Sequence, residues 1–384
     1  MAASSSPVNV ACVWGANGIS GVAMVDALIE QDRSNWNRII CISRRPTQLD
    51  VDDDRIYFIS IDLLESSVNE IVTELKKAGG KNITHVYHFT YIEKQDENEL
   101  DEVNKVLFQK ALDASIEVAG EHIKCVTLQT GYKYYGVHKG GEYLATRPYQ
   151  EDAPRHQGSN FYYTQEDLLK EYAGKHGWKY IVTRPNIIIG VSRGNFMNFA
   201  LSFALYATLQ KEEGQPLLFP GNEVAWNAVV DHSDAMNTAR FQIWASTNNE
   251  IHNEVFNIHN GDEVRFCTLW PYFERYFGFA PHKQMFDADD IQTGEIGISQ
   301  FSLAELMPKH IETWNRLTKH KQLDSSAFNY ATWNFIDFVL GRAFDDHSDM
   351  SKARKYGWKT TVNTVESYIR CFDRLKEMQI IPSI

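Results

Sequence analysis

Through the first half of the chain, short apolar runs rich in β-branched and aromatic residues alternate with amphipathic stretches. "VNVACVWG" (8–15), "NRIICISRR" (37–45), "RIYFISID" (55–62), "THVYHFTY" (84–91) and "IKCVTLQTG" (123–131) read as strands. Between them, at 21–31, 68–79 and 105–119, apolar positions recur at helical spacing and predict helices. Strands that are apolar on both faces, separated by helices, make right-handed crossovers and a parallel sheet. The fold class is therefore α/β, a Rossmann-type doubly wound parallel sheet. A helix over 165–177 and a strand over 179–190 continue the pattern. There the rhythm stops. An apolar helix (196–209), a loop (219–235) and a long helical C-terminal region follow, with sheet elements returning near 254–262. The pattern predicts a sheet domain over 1–190 with returns near 226–262, and a smaller, mainly helical substrate-binding region over 191–225 and 263–384.

Bulk composition narrows the function classes. The chain has 384 residues, 43% of them hydrophobic, and a formal net charge of −12. A nucleic-acid partner calls for a basic stripe, and the basic clusters here, "SRRP" and "TKHK", are short. Any anionic ligand must be captured locally. Cys12, Cys41, Cys125, Cys267 and Cys371 are widely spaced and form no C-x-x-C pair, which predicts a reducing compartment without disulfides or zinc. "MAASSSPVN" lacks the basic and apolar regions of a secretory signal, and 196–209 is too short and too polar to span a bilayer. The expectation is a cytoplasmic monomer or homodimer with no membrane or nucleic-acid partner.

Candidate chemistry begins at "VWGANGISG" (13–21). Gly15, Gly18 and Gly21 stand where the first strand meets the first helix, so the helix dipole and its unpaired N–H groups can attract a phosphate. Gly21 also suits close packing of helix on strand. The second strand ends in "CISRRP", where an NAD-preferring site carries an acidic residue. Arg44 and Arg45 suit a 2′-phosphate instead, so the expected cofactor is NADPH. Asp62, closing the third strand, suits an adenine amino group or the cap of the next helix. The expected contacts at this edge of the sheet are Gly15, Asn17, Gly18, Ile19, Ser43, Arg44, Arg45 and Asp62. Thr90, Gln129 and Tyr162, on later segments, complete them.

A reductase needs a donor beside the oxygen that gains charge as hydride arrives. Short-chain dehydrogenases use the tyrosine and lysine of Y-x-x-x-K, and the segment of that kind here is "NFYYTQEDLL" (160–169). Glu166 stands four residues after Tyr162 and Asp167 four after Tyr163, so the lysine is absent. Lys133, in "LQTGYKYYG" (128–136), lies past the end of the fifth strand and is the candidate replacement.

Taken in order, "LQTGYKYYG", "NFYYTQEDLL", "TRPNIIIG", "LLFPGNEVAWN", "NIHNGD" and "SKARKYGW" resemble the progesterone 5β-reductase/iridoid synthase-like (PRISE) family over about residues 9 to 380. These are atypical extended short-chain dehydrogenases that reduce activated C=C bonds with NADPH. The resemblance implies that Lys133 of T-G-x-K and Tyr162 of N-F-Y are catalytic, and that Gly131 replaces the serine of other extended members. It implies a small apolar enone or enal as substrate, reduced by hydride at the β-carbon, with Tyr162 and Lys133 stabilising the enolate oxygen. Trp14 before the first glycine and a different loop over 137–158 depart from the family pattern. An NADPH-dependent carbonyl reductase, a cyclase or isomerase, and an NmrA-like sensor of NADP(H) remain alternatives. Phe199, Trp333 and Phe335 fit a pocket or a core, Asn198 a ligand or a cap; His85, His88 and His232 form no metal-ligand pattern, and "VDDD" (51–54) reads as a solvated loop.

Overall fold

The structure, a computed structural model, describes residues 8–45, 52–281, 285–286 and 299–383. Residues 1–7 of "MAASSSPVN", Pro46 of the R-R-P motif and Val51 of "VDDD" lie outside the described residues. The chain forms two compact units.

The first unit comprises 1–186, 235–258 and 349–359. Its strands are β1 (Asn9–Trp14), β2 (Trp36–Ser43), β3 (Ile56–Ser60), β4 (His85–His88), β5 (Cys125–Gln129) and β6 (Lys179–Arg184). Two short strands of the other unit follow, β7 (Ile188–Ile189) and β8 (Ser233–Asp234), before β9 (Glu254–Asn257) returns to the main sheet. The seven-stranded sheet is parallel throughout, in the order β3-β2-β1-β4-β5-β6-β9. Strand order reverses between β1 and β4. In such sheets, ligands sit beyond the carboxyl ends of the strands at that crevice.

Helices cover both faces, which is why the strands are apolar on both sides. On one face, α2 (Val68–Lys77), α3 (Glu97–Ala119) and α4 (Phe161–His176) close over Cys12, Ile40, Val86, Val126 and Leu128. On the other, α1 (Ile19–Ile29) packs on α7 (Ala235–Thr247), and α12 (Ser351–Lys355) lies against β9. Phe241, Phe256 and Ala353 belong to the apolar cluster there.

The second unit comprises 187–234, 259–348 and 360–384. Here α5 (Phe199–Glu212), α6 (Glu223–Asn227), α8 (Phe266–Tyr276), α9 (Leu303–Leu306), α10 (Ile311–Lys321), α11 (Trp333–Leu340) and α13 (Thr364–Glu377) contribute to one apolar cluster containing Phe199, Phe203, Trp270 and Phe372. Every residue of α5 from Phe199 to Gln210 is buried, so its all-round apolarity is that of a central core helix. No helix among the described residues is long and apolar enough to cross a membrane.

Boundaries differ from the sequence expectation for identifiable reasons. The sixth strand stops at Arg184 because Pro185 has no N–H for the ladder, and Ile188–Ile189 pairs separately with Ser233–Asp234. The third helix begins at Glu97. Asp96 caps it by accepting from the N–H groups of Asn98 and Glu99, and its first two turns are too polar to show an apolar period. The fourth begins at Phe161, four residues early, behind Asn160 as cap. Helix α7 falls where the sequence reading assigned no element, since it is buried along most of its length and shows little amphipathic contrast.

Candidate active site

The glycine turn is held against β2. Gly15 and Ala16 both donate to the Ile42 carbonyl (2.8 and 3.1 Å), and Gly18 donates to the Gly15 carbonyl. Gly15 has φ +82°, and a Cβ there would stand 2.9 Å from the Phe89 carbonyl carbon. Only glycine fits. A Cβ on Gly21 would meet the Gly15 carbonyl oxygen at 2.1 Å, so Gly21 serves the close approach of α1 to the turn. Gly18 is the N-cap of α1 and brings no side-chain cap, while Ile19 opens the helix as a buried residue.

Side chains then tie the turn to the end of β2. Asn17 Nδ2 donates to the Arg45 carbonyl (3.2 Å), Ser43 Oγ to the same oxygen (2.7 Å), and Ser60 Oγ to that of Arg44 (2.9 Å). The backbone of Arg44 and Arg45 is thereby held beside the start of α1, with both side chains exposed. Arg44 Nη1 lies 3.9 Å from Asp62 Oδ2. Asp62 does not cap α2, whose capping box is Ser67 with Glu70; its Oδ1 accepts the Leu64 N–H in a local turn. Thr90 Oγ1 bonds His88 Nε2 (2.7 Å) just past β4, and Gln129 at the end of β5 donates to Ser20 Oγ (2.7 Å) and accepts from Gln242 (3.0 Å). Gly15, Asn17, Ser43, Arg44 and Arg45 thus form one connected edge.

Tyr162 lies in the first turn of α4 and is buried. A Cβ on Gly131 would sit 3.3 Å from the Tyr162 hydroxyl, so the bare glycine leaves room beside the phenol. Burial, then the charge of Glu93, pushes the Tyr162 hydroxyl well above the ordinary tyrosine range. Lys133 sits in the short turn Tyr132–Tyr135 after β5. Its ammonium donates to Tyr91 Oη (3.1 Å), lies 3.6 Å from Glu93 Oε2, and stands 5.8 Å from the Phe161 ring centroid. Phe161 and Tyr162 rings are 4.1 Å apart between centroids.

One side chain joins the two candidate residues. Asn160 accepts the Tyr162 N–H on Oδ1 (3.1 Å) and donates from Nδ2 to the Lys133 carbonyl (2.8 Å).

The position of the missing lysine has another use. Glu166 is buried and accepts from Arg184 Nη2 at 2.8 Å, both side chains being 1% exposed. Arg184 also donates to Tyr135 Oη and the Glu151 carbonyl and stacks over the Tyr134 ring. The pair therefore welds α4 to β6 and the Lys133 turn. Asp167 takes a bidentate bond from Arg155 (2.7 and 2.6 Å), and Tyr163 bonds the Tyr134 carbonyl. Neither stands in for the lysine.

Sequence reasoning missed Tyr91, Glu93 and Asn160. Their signal was position: Tyr91 and Glu93 follow the end of β4, at the same sheet edge as Lys133. His85, His88 and His232 are buried. Burial pushes them down to about 3, and no metal-holding group occurs among the described residues. All five cysteines are free thiols. In the second unit, Phe199 is core, while Trp333 and Phe335 pack partly buried against that core. Asn198 caps α5 by accepting the Leu201 N–H, and donates to the Ser192 carbonyl.

Similarity to known proteins agrees with this layout. A short chain dehydrogenase of Penicillium aethiopicum is 34% identical over 379 residues, covering 97% of this chain and 99% of the relative. A protein of Arabidopsis thaliana named 3-oxo-Delta(4,5)-steroid 5-beta-reductase is 31% identical, covering 99% and 95%. Among solved structures, a Thermus thermophilus UDP-glucose 4-epimerase in complex with NAD superposes with a TM-score of 0.62 at 14% identity, covering 96% and 99%, a likeness of fold. The description of a PRISE-like Rossmann-fold domain matches residues 11–382, and the chain belongs to that family.

Proposed function

We propose that this protein is an NADPH-dependent reductase of activated C=C bonds, acting on a small apolar enone or enal. The observation that carries the reading is the Tyr162 hydroxyl beside the side-chain-free Gly131, in one cluster with Lys133 at the carboxyl edge of the sheet. The relatives named as a steroid 5-beta-reductase and, in Nepeta cataria, as an (S)-8-oxocitronellyl enol synthase support the substrate class.

The residues present suit the cofactor. The glycine-capped start of α1 accepts a pyrophosphate, and the exposed Arg44 and Arg45 accept a 2′-phosphate. When bound, NADPH supplies hydride to the β-carbon; the remaining tasks fall to the chain. As charge grows on the substrate carbonyl oxygen, Tyr162 donates a hydrogen bond to it. Its hydroxyl is held protonated by burial and by Glu93, so it acts as a neutral donor. Lys133, a cation in the same cluster, favours the same charge electrostatically. The α-carbon then takes a proton from solvent.

The test is a panel of small enals, enones and steroid enones with NADPH, run with the wild type, Tyr162→Phe and Lys133→Ala. Loss of one such donor costs about 3–4 kcal/mol of barrier, so each kcat is expected to fall by two to three orders of magnitude, roughly, with cofactor affinity nearly intact. Unchanged rates in both variants would remove these residues from the reaction. An allylic alcohol in place of the saturated carbonyl product would identify carbonyl reduction instead.

A further inference from the structure

The segment after β4 brings two further polar side chains to Lys133. Tyr91 Oη accepts from the Lys133 ammonium at 3.1 Å and itself donates to Glu93 Oε2. The carboxylate also reaches the ammonium directly, at 3.6 Å. The side chains of Lys133 and Glu93 are 19% and 28% exposed, so the pair is partly sheltered and screening is incomplete. Tyr91 and Phe161 rings are 5.4 Å apart, and the ammonium stands 5.5 Å from the Tyr91 ring centroid and 5.8 Å from that of Phe161.

A lysine on a turn has four rotatable bonds and no intrinsic preference for a single direction. A lysine one helical turn after a catalytic tyrosine is aimed by its helix. Here that helix position is Glu166, committed to Arg184, so the aim must come from elsewhere. We propose that Tyr91 and Glu93 form a clamp that positions the Lys133 ammonium for catalysis, Glu93 as its counter-ion and Tyr91 as the bridge. The clamp rests on the reductase reading for its catalytic purpose, though not for its existence. Tyr162 from α4 and His138 from the loop after Lys133 are further titratable groups near this cluster. Burial and then Lys133 hold His138 down to about 4, and it lies 3.9 Å from Glu97 of α3 and 5.5 Å, ring to ring, from His156.

The experiment uses the full-length protein and the variants Glu93→Gln, Glu93→Asp and Tyr91→Phe, with circular dichroism melting to check the fold. The first readout needs no substrate: the rate of Lys133 acetylation by an N-hydroxysuccinimide ester at fixed pH, read by peptide mass spectrometry. A facing carboxylate favours the unreactive ammonium form, so Glu93→Gln is expected to label roughly three- to tenfold faster, with Glu93→Asp closer to wild type. The second readout is NADPH oxidation with an enal. Glu93→Gln is expected to lower kcat at least about tenfold while KM for NADPH changes less than about twofold, with partial rescue by Glu93→Asp. Tyr91→Phe removes a single hydroxyl and keeps the test available if Glu93→Gln unfolds; it is expected to change labelling and kcat in the same directions. Wild-type labelling in folded Glu93→Gln or Tyr91→Phe, or an unchanged kcat, overturns the clamp. Faster labelling in the variants of a protein that reduces no activated alkene leaves the clamp standing and removes the ene-reductase reading.

Discussion

Arg44 and Arg45 are exposed side chains on a tightly held backbone. That combination suits a ligand better than it suits stability, because a surface guanidinium contributes little to folding. Charge-assisted hydrogen bonds are each worth about 1.5–3 kcal/mol, so losing two of them in the double change Arg44→Ala, Arg45→Ala is expected to weaken NADPH by roughly two to four orders of magnitude. NADH, lacking the 2′-phosphate, is expected to lose less than about threefold. Fluorescence titration of both cofactors checks this, and equal losses would defeat the phosphate assignment. Asn160 calls for a different pair of changes. Asn160→Ala removes the cap of α4 and is expected to cost about 1 kcal/mol. Asn160→Asp keeps the acceptor for the Tyr162 N–H but loses the donor to the Lys133 carbonyl. Its melting temperature is expected to stay near wild type while kcat falls. An unchanged kcat in Asn160→Asp would reduce Asn160 to a cap alone.

Among the elements, α4 shows how a lost motif can leave its scaffold intact. Tyr162 keeps its place in the first helical turn, while the residue one turn later becomes an internal tie to β6. Removing one partner of a buried pair strands the other charge, so Arg184→Met is expected to destabilise by about 3–5 kcal/mol, and the double change Arg184→Met, Glu166→Leu by much less. Chemical denaturation of both variants checks this. A double variant as unstable as the single one would mean that Tyr135 and Glu151, rather than the ion pair, hold α4. The glycine turn and the R-R pair stand out in the sequence as local words beside strand ends, whereas Lys133 and Tyr162 enter as candidates through the missing Y-x-x-x-K lysine and the family resemblance. Asn160, Tyr91 and Glu93 were not legible. A polar residue in a loop carries no sign of which neighbour it will meet until the strands are set side by side.

The whole molecule adds an acid sensitivity. His85, His88 and His232, buried and pushed down to about 3, remain neutral in the folded state. Unfolded histidines titrate near 6.5, so between about pH 6.5 and 3 the unfolded chain binds more protons and stability falls as pH is lowered. From pH 7 to 5 the loss is roughly 2 kcal/mol per histidine, read as a lower denaturation midpoint at pH 5. An unchanged midpoint would show that these rings accept protons without unfolding. The alternation of apolar strands and helices settled the parallel sheet and placed a glycine turn on its first crossover, because strand-helix periodicity and the conformational freedom of glycine act over a few neighbouring residues. Three things emerged only on folding: residues 349–359 join the first unit, Glu166 faces Arg184, and Tyr91 and Glu93 meet Lys133. Each depends on groups far apart in the chain, whose pairing is set by strand order and by where a buried charge can find its counterpart.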